Sequence, residues 1–120
     1  MKKIALLILV LIFSSCHFNG TKVNFEIVNN TEFVIDSLKI VPNSEKTLNF
    51  ITLKPFEKFN YIVDMSDIPP VDGSYNLSYK KNNEVVNKNY GYYSRGIPLE
   101  EHVVVTIEKD TVTFNPIILE

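Results

Sequence analysis

Two hydrophobic patterns divide this chain near its sixteenth residue. Ile4 to Phe13 is an unbroken apolar run of ten residues, opened by Lys2 and Lys3 and closed by Ser14, Ser15 and Cys16. From Lys22 onward apolar residues fall at every second position, interrupted by turn residues. The apolar run is too short for a permanent membrane helix, which needs about 20 residues. A basic start, an apolar middle and small residues at the end make up the plan of a secretory signal. The alternation beyond it predicts half-buried strands, because successive side chains on a strand point to opposite faces.

The strands can be read off in turn. In Lys22–Asn29, Val23, Phe25 and Ile27 point one way and Asn24 and Glu26 the other; Asn29-Asn30-Thr31 then turns the chain. Phe33–Val41 changes phase midway: Phe33 and Ile35 are in step, Leu38 and Ile40 out of step with them. One extra residue flips the faces of a strand, so a bulge is expected near Asp36-Ser37. After a polar loop at Pro42–Glu45 come strands at Thr47–Leu53 and Lys58–Met65, with Pro55 turning between them. Ser66–Gly73 holds Pro69, Pro70 and Asp72-Gly73 and reads as a corner. Ser74–Lys81 alternates through Tyr75, Leu77 and Tyr79, and Asn82-Asn83 predicts a hairpin into Glu84–Tyr90. Gly91–Pro98 is expected to be a loop rich in tyrosine and glycine. His102–Glu108 and Thr111–Phe114 complete the set, joined at Lys109-Asp110, with a tail at 115–120 able to extend the last strand. No segment after the first sixteen residues keeps a helical period for more than a turn or two. The expectation is an all-β domain of seven to eight strands in a single antiparallel sandwich, with Phe25, Ile27, Leu77, Val103, Val105 and Phe114 buried.

Cys16 is the only cysteine, so it cannot form an internal disulfide. Phe13-Ser14-Ser15-Cys16 resembles the lipobox of bacterial lipoproteins, with Ser15 as the small residue before the cysteine and Phe13 where leucine is usual. The resemblance implies that a diacylglyceryl group joins the Cys16 thiol and that a peptidase cuts before it. Residues 1–15 are then a signal peptide, 16–21 a lipidated cysteine and tether, and 22–120 the β domain. One acyl chain holds a protein only marginally, whereas two or three anchor it firmly. The β pattern in turn resembles small immunoglobulin-like domains of bacterial envelope proteins, through Asn29-Asn30-Thr31, Leu53-Lys54-Pro55-Phe56-Glu57 and Asp72-Gly73-Ser74-Tyr75. The cysteine pair and tryptophan of antibody domains are absent.

Composition narrows the partners. Removing the first fifteen of 120 residues leaves 105, enough for one modest core. Without Lys2 and Lys3, ten basic residues stand against 14 acidic ones, a net charge of −4. Nucleic acid attracts dense Lys and Arg, so it is not an expected partner.

The chemistry on offer is sparse. His17 lies in the tether and His102 opens a strand beside Glu100 and Glu101, too few ligands for a zinc or copper site. Ser94 and His102 are near in sequence, but no Gly-x-Ser-x-Gly elbow surrounds any serine. Asp64, Asp67 and Asp72 surround Pro69-Pro70 and read as a solvated loop rather than the dense oxygen run of a calcium site. No cofactor and no metal is expected. The stretch that looks most like a binding surface is Tyr90-Gly91-Tyr92-Tyr93-Ser94-Arg95-Gly96, since Tyr and Arg are enriched at hot spots. Tyr90, Tyr92, Tyr93 and Arg95 are the candidate contact residues, with Tyr93 and Arg95 as anchors; Lys80, Lys81 and Lys88 make the region basic. Core packing of Tyr90 and Tyr92 is the competing expectation, and in extended chain Tyr92 and Tyr93 cannot both be core. Asp36-Ser37-Leu38 and Asp110-Thr111-Val112 resemble the O-glycosylation tripeptides of one large Gram-negative phylum, which marks Ser37 and Thr111.

These features point to a non-enzymatic lipoprotein, anchored through Cys16 to the outer membrane and facing the periplasm, whose β domain binds a protein or glycan of the cell envelope. No acidic run follows Cys16, unlike the surface-export signals some lipoproteins carry there. Two other functions stay open. One is an immunity or inhibitor lipoprotein that plugs a toxin or hydrolase with its tyrosine–arginine loop. The other is a small periplasmic hydrolase or metal carrier.

Overall fold

The computed structural model describes residues 21–42 and 49–117. The signal, Cys16, the start of the tether, the loop after Pro42, the beginning of the strand expected from Thr47 and the last three residues of the tail lie outside them. Among the described residues there is no helix long and apolar enough to cross a membrane.

The described chain is all β. Nine strands follow in order: β1 (Lys22–Asn29), β2 (Ile35–Pro42), β3 (Ile51–Leu53), β4 (Lys58–Asp64), β5 (Gly73–Lys81), β6 (Glu84–Ser94), β7 (Ile97–Pro98), β8 (His102–Ile107) and β9 (Val112–Pro116). They form two sheets, β4-β1-β8-β9 and β3-β2-β5-β6-β7. The inward side chains of both sheets meet in one core. Val23, Phe25 and Ile27 of β1 and Val103, Val105 and Ile107 of β8 face Leu38, Ile40, Tyr75, Leu77 and Tyr79 of the other sheet. The Phe25 and Tyr75 rings meet edge to face, 5.3 Å apart.

Several expectations meet their outcome here. The bulge in β2 is where the phase change put it: pairing with β5 slips between Asp36 and Lys39, and Ser37 has a φ of 51°. The Asp36 carboxylate holds the kink by accepting the Ser37 N–H at 2.7 Å. Asn82 and Asn83, with φ of 51° and 65°, form the tight hairpin between β5 and β6. Positive φ at both central residues suits the twist of the flanking strands, and Asn tolerates it.

Four expectations need correction. The described residues hold nine strands, not seven or eight, because Gly91–Pro98 is not a loop. β6 runs through to Ser94 and returns as β7 across a two-residue turn at Arg95-Gly96. The sheets are not wholly antiparallel: β1 and β8 pair in parallel, Phe25 beside Val103 and Ile27 beside Val105. The chain enters β8 from β7 at the end where β1 begins, so both strands must run the same way. Phe114 is only half-buried, since β9 is an edge strand. Its ring stacks on Tyr90, centroids 4.4 Å apart and planes 12° from parallel.

Candidate functional site

The ends of the two sheets set out the surface. At one end lie Thr21, the β4–β5 corner and the β6–β7 turn. At the other lie the β1–β2, β3–β4 and β5–β6 turns. The second end is organised by a buried polar residue, Asn29. Its Nδ2 donates to the Phe33 carbonyl at 2.8 Å and the Lys54 carbonyl at 3.0 Å, and its Oδ1 accepts from Thr31 Oγ1 at 2.7 Å and the Thr31 N–H at 3.1 Å. One side chain therefore fastens the β1–β2 turn to the β3–β4 turn.

The turn so fastened is Lys54-Pro55-Phe56-Glu57. The Glu57 N–H donates to the Lys54 carbonyl at 3.1 Å, and the Lys54 N–H donates to Glu57 Oε1 at 3.2 Å. Pro55 supplies the fixed φ wanted at the second position of such a turn. Phe56 occupies the third position with a φ of 63°. Glycine or asparagine is expected there, because a β-carbon is strained in the left-handed region. Phe56 is also 64% exposed, so packing within this chain does little to offset the strain. Phe33 and Val34, on the adjoining turn, are exposed as well. Next to them a groove of about 420 Å³ is lined by Val34, Asp36, Thr52, Lys80, Asn82 and Asn83. A groove with hydroxyl, amide, ammonium and carboxylate groups can grip an extended polar ligand, and Phe56 stands at the same end of the fold, on the turn that follows the strand of Thr52. Sequence reading did not single out Phe56. The available signal was a bulky residue directly after a turn proline, where a smaller residue is usual.

The tyrosine–arginine stretch is built differently from expectation. Tyr93 is not a surface anchor: it is 0% exposed, and its ring lies 5.5 Å from that of Tyr75 in the core. Tyr92 is 50% exposed, so the two neighbours do point opposite ways. Tyr90 is half-buried against Phe114, and its hydroxyl donates to Glu100 Oε2 at 2.7 Å. Burial first, and then the Glu100 carboxylate, push the Tyr90 pKa well up. Arg95, at φ 52°, serves as a turn residue whose N–H donates to Asp72 Oδ1 at 3.0 Å. That bond, and then the Tyr92 hydroxyl, hold the Asp72 pKa below its ordinary value; the same carboxylate pushes Tyr92 up. At this end Tyr92 and Arg95 remain as surface residues.

The remaining candidates are dispersed. His102 faces outward from β8, with Nδ1 3.1 Å from Asn24 Nδ2 and Nε2 3.7 Å from Glu26. Ser94 belongs to the other sheet, where its hydroxyl hydrogen-bonds to the Asp72 carboxylate. Asp64 accepts the Ser66 N–H at 2.9 Å, which closes a local turn. Among the described residues no group of three His, Cys, Asp or Glu converges. Ser37 is half-buried in the β2 bulge and Thr111 is exposed in the β8–β9 turn.

No family model, no curated protein and no solved structure matches the chain.

Proposed function

We propose that this chain is a lipid-anchored, non-enzymatic binding module of the bacterial cell envelope, on the outer membrane and facing the periplasm. Its two-sheet domain is an immunoglobulin-like sandwich that carries the binding surface, and Ser37 and Thr111 are its O-glycosylation positions. The partner is a protein or glycan component of the envelope. The Phe13–Cys16 motif supports the anchor, and the paired facing sheets support the sandwich.

The observation that carries the binding role is Phe56. An exposed aromatic held at positive φ is unfavourable in the isolated chain, and such strain concentrates at sites of contact. The surface is therefore the Asn29 end, with Phe56 as the aromatic anchor and the adjoining groove as the polar part.

Phe56→Gly separates contact from folding. Glycine relieves the backbone strain, so the melting temperature should stay level or rise. Capture of a stoichiometric partner from detergent-solubilised envelope should fall at least tenfold, as for a hot-spot truncation of about 2 kcal/mol. Equal capture by variant and wild type would remove Phe56 from the interface. In parallel, Cys16→Ala should abolish labelling by a fatty-acid analogue and release the protein from the membrane fraction. Unchanged labelling would end the lipoprotein reading.

A further inference from the structure

The end of the fold opposite Phe56 carries its own apolar surface. Val71, Ile97 and Leu99 are 51%, 60% and 62% exposed. They come from the β4–β5 corner, from β7 and from the link between β7 and β8, the connections by which the chain passes from one sheet to the other at this end. Hydrogen bonds tie these connections together. The Thr21 carbonyl accepts the Met65 N–H, Met65 accepts the Ile68 N–H at 3.2 Å, and the Val71 carbonyl accepts the Gly96 N–H at 3.0 Å. Gly96 lies so close under the corner that an added β-carbon would stand 2.9 Å from the Pro69 carbonyl oxygen. The apolar side chains are thus held outward by a stitched scaffold that includes Thr21.

Thr21 lies five residues beyond Cys16. Five extended residues span at most about 18 Å, whereas the eight residues of β1 carry the chain about 26 Å towards the Asn29 end. We propose that the Thr21 end seats directly on the bilayer, with Val71, Ile97 and Leu99 entering the headgroup boundary. This inference rests on the lipid anchor at Cys16 proposed above. The tether brings the exposed apolar residues within reach of lipid and keeps Phe56 on the far side, turned away from it.

Charge decides the kind of lipid. Asp64, Asp67, Asp72, Glu100 and Glu101 lie in the strand ends and connections at this end, against Lys22 and Arg95. Excess negative charge repels an anionic surface, so the seat is apolar and favours zwitterionic headgroups.

The test uses the full-length lipidated chain in vesicles that carry a nitroxide at the headgroup. An environment-sensitive thiol label is placed by Ile97→Cys, by Leu99→Cys and, as the distant reference, by Phe56→Cys; the Cys16 thiol is occupied by lipid and does not react. Labels at 97 and 99 should be quenched at least twofold and the label at 56 not at all. Anionic phosphatidylglycerol added to phosphatidylethanolamine vesicles should lower the quenching. Vesicle-bound protein with unquenched labels at 97 and 99 would overturn the seat while leaving the anchor intact. Unquenched labels shielded from aqueous iodide would assign the patch to a protein contact, such as a second copy, and also overturn it. Stronger quenching on anionic lipid would make Lys22 and Arg95 the binding groups and overturn the apolar seat. Protein that does not float with vesicles would remove the anchor, and the inference with it.

Discussion

A single buried amide ties two turns together at the Asn29 end. Asn29 is fully buried, and its side-chain hydrogen bonds go to the chain around two turns. Buried polar groups left without partners cost about 1–3 kcal/mol each. Asn29→Ala should therefore lower stability by about 1–3 kcal/mol, since the Phe33 and Lys54 carbonyls and the Thr31 hydroxyl each lose one of their partners, although each keeps another. Urea unfolding should show a lower midpoint with an unchanged slope. A shift smaller than about 1 kcal/mol would mean that water replaces the amide readily. Asn29-Asn30-Thr31 was legible as a turn from residue type alone. That Asn29 also holds Lys54, 25 residues away, was not, because nothing local records which carbonyls the folded chain brings to it.

β6 shows how one backbone torsion reassigns a strand. Opposite β5, Tyr75 faces Tyr90 but Gly73 faces Tyr93, so β6 carries one more residue than its partner across that interval. The extra residue falls at Gly91, whose φ of 71° is the left-handed conformation of a glycine bulge. The bulge turns Tyr93 inward and Tyr92 outward. Gly91→Ala should cost about 1–2 kcal/mol, the penalty of a β-carbon in that region. Its β-carbon would lie 3.5 Å from the Tyr75 ring, an ordinary contact. Gly96→Ala combines the same torsional penalty with a collision against the Pro69 carbonyl, so it should melt lower than Gly91→Ala. Thermal unfolding of the two variants in parallel checks the ranking, and the reverse order would contradict the close packing of the β4–β5 corner on the β6–β7 turn.

At the scale of the whole molecule, stability resides in one core shared by two sheets. Val105 is fully buried in β8, which lies between β1 and β9 in its sheet. Val105→Asp places an unpaired charge between the sheets and should cost more than about 4 kcal/mol, enough to unfold a domain of this size. The expected result is loss of the sheet signal in far-ultraviolet circular dichroism and protein that no longer melts cooperatively. A cooperative melt near that of wild type would show that the core accommodates the charge. The same architecture separates two apolar surfaces by the length of the strands, one at Phe56 and the other around Ile97. That separation leaves one end for the proposed lipid seat and the other for the proposed partner contact.

The sequence by itself determined the class of the fold and most of its strands. Period-two alternation settles which residues of β1, β5 and β8 face inward, because the side-chain period of a strand is fixed by backbone geometry. It also located the β2 bulge, since a change of phase at Asp36-Ser37 has no other simple cause in a strand. Turn chemistry placed the Asn82-Asn83 hairpin. Only the tertiary structure decided the rest. It ordered the strands in each sheet and made β1 and β8 parallel, because pairing depends on where long connections deliver the chain. It chose Tyr93 over Tyr92 for the core, because local alternation says that neighbours differ but not which of them faces in once a bulge intervenes. It placed Phe56 at a strained, exposed tip and Ile97 at the end that holds Thr21, because a residue's exposure depends on what other segments leave uncovered.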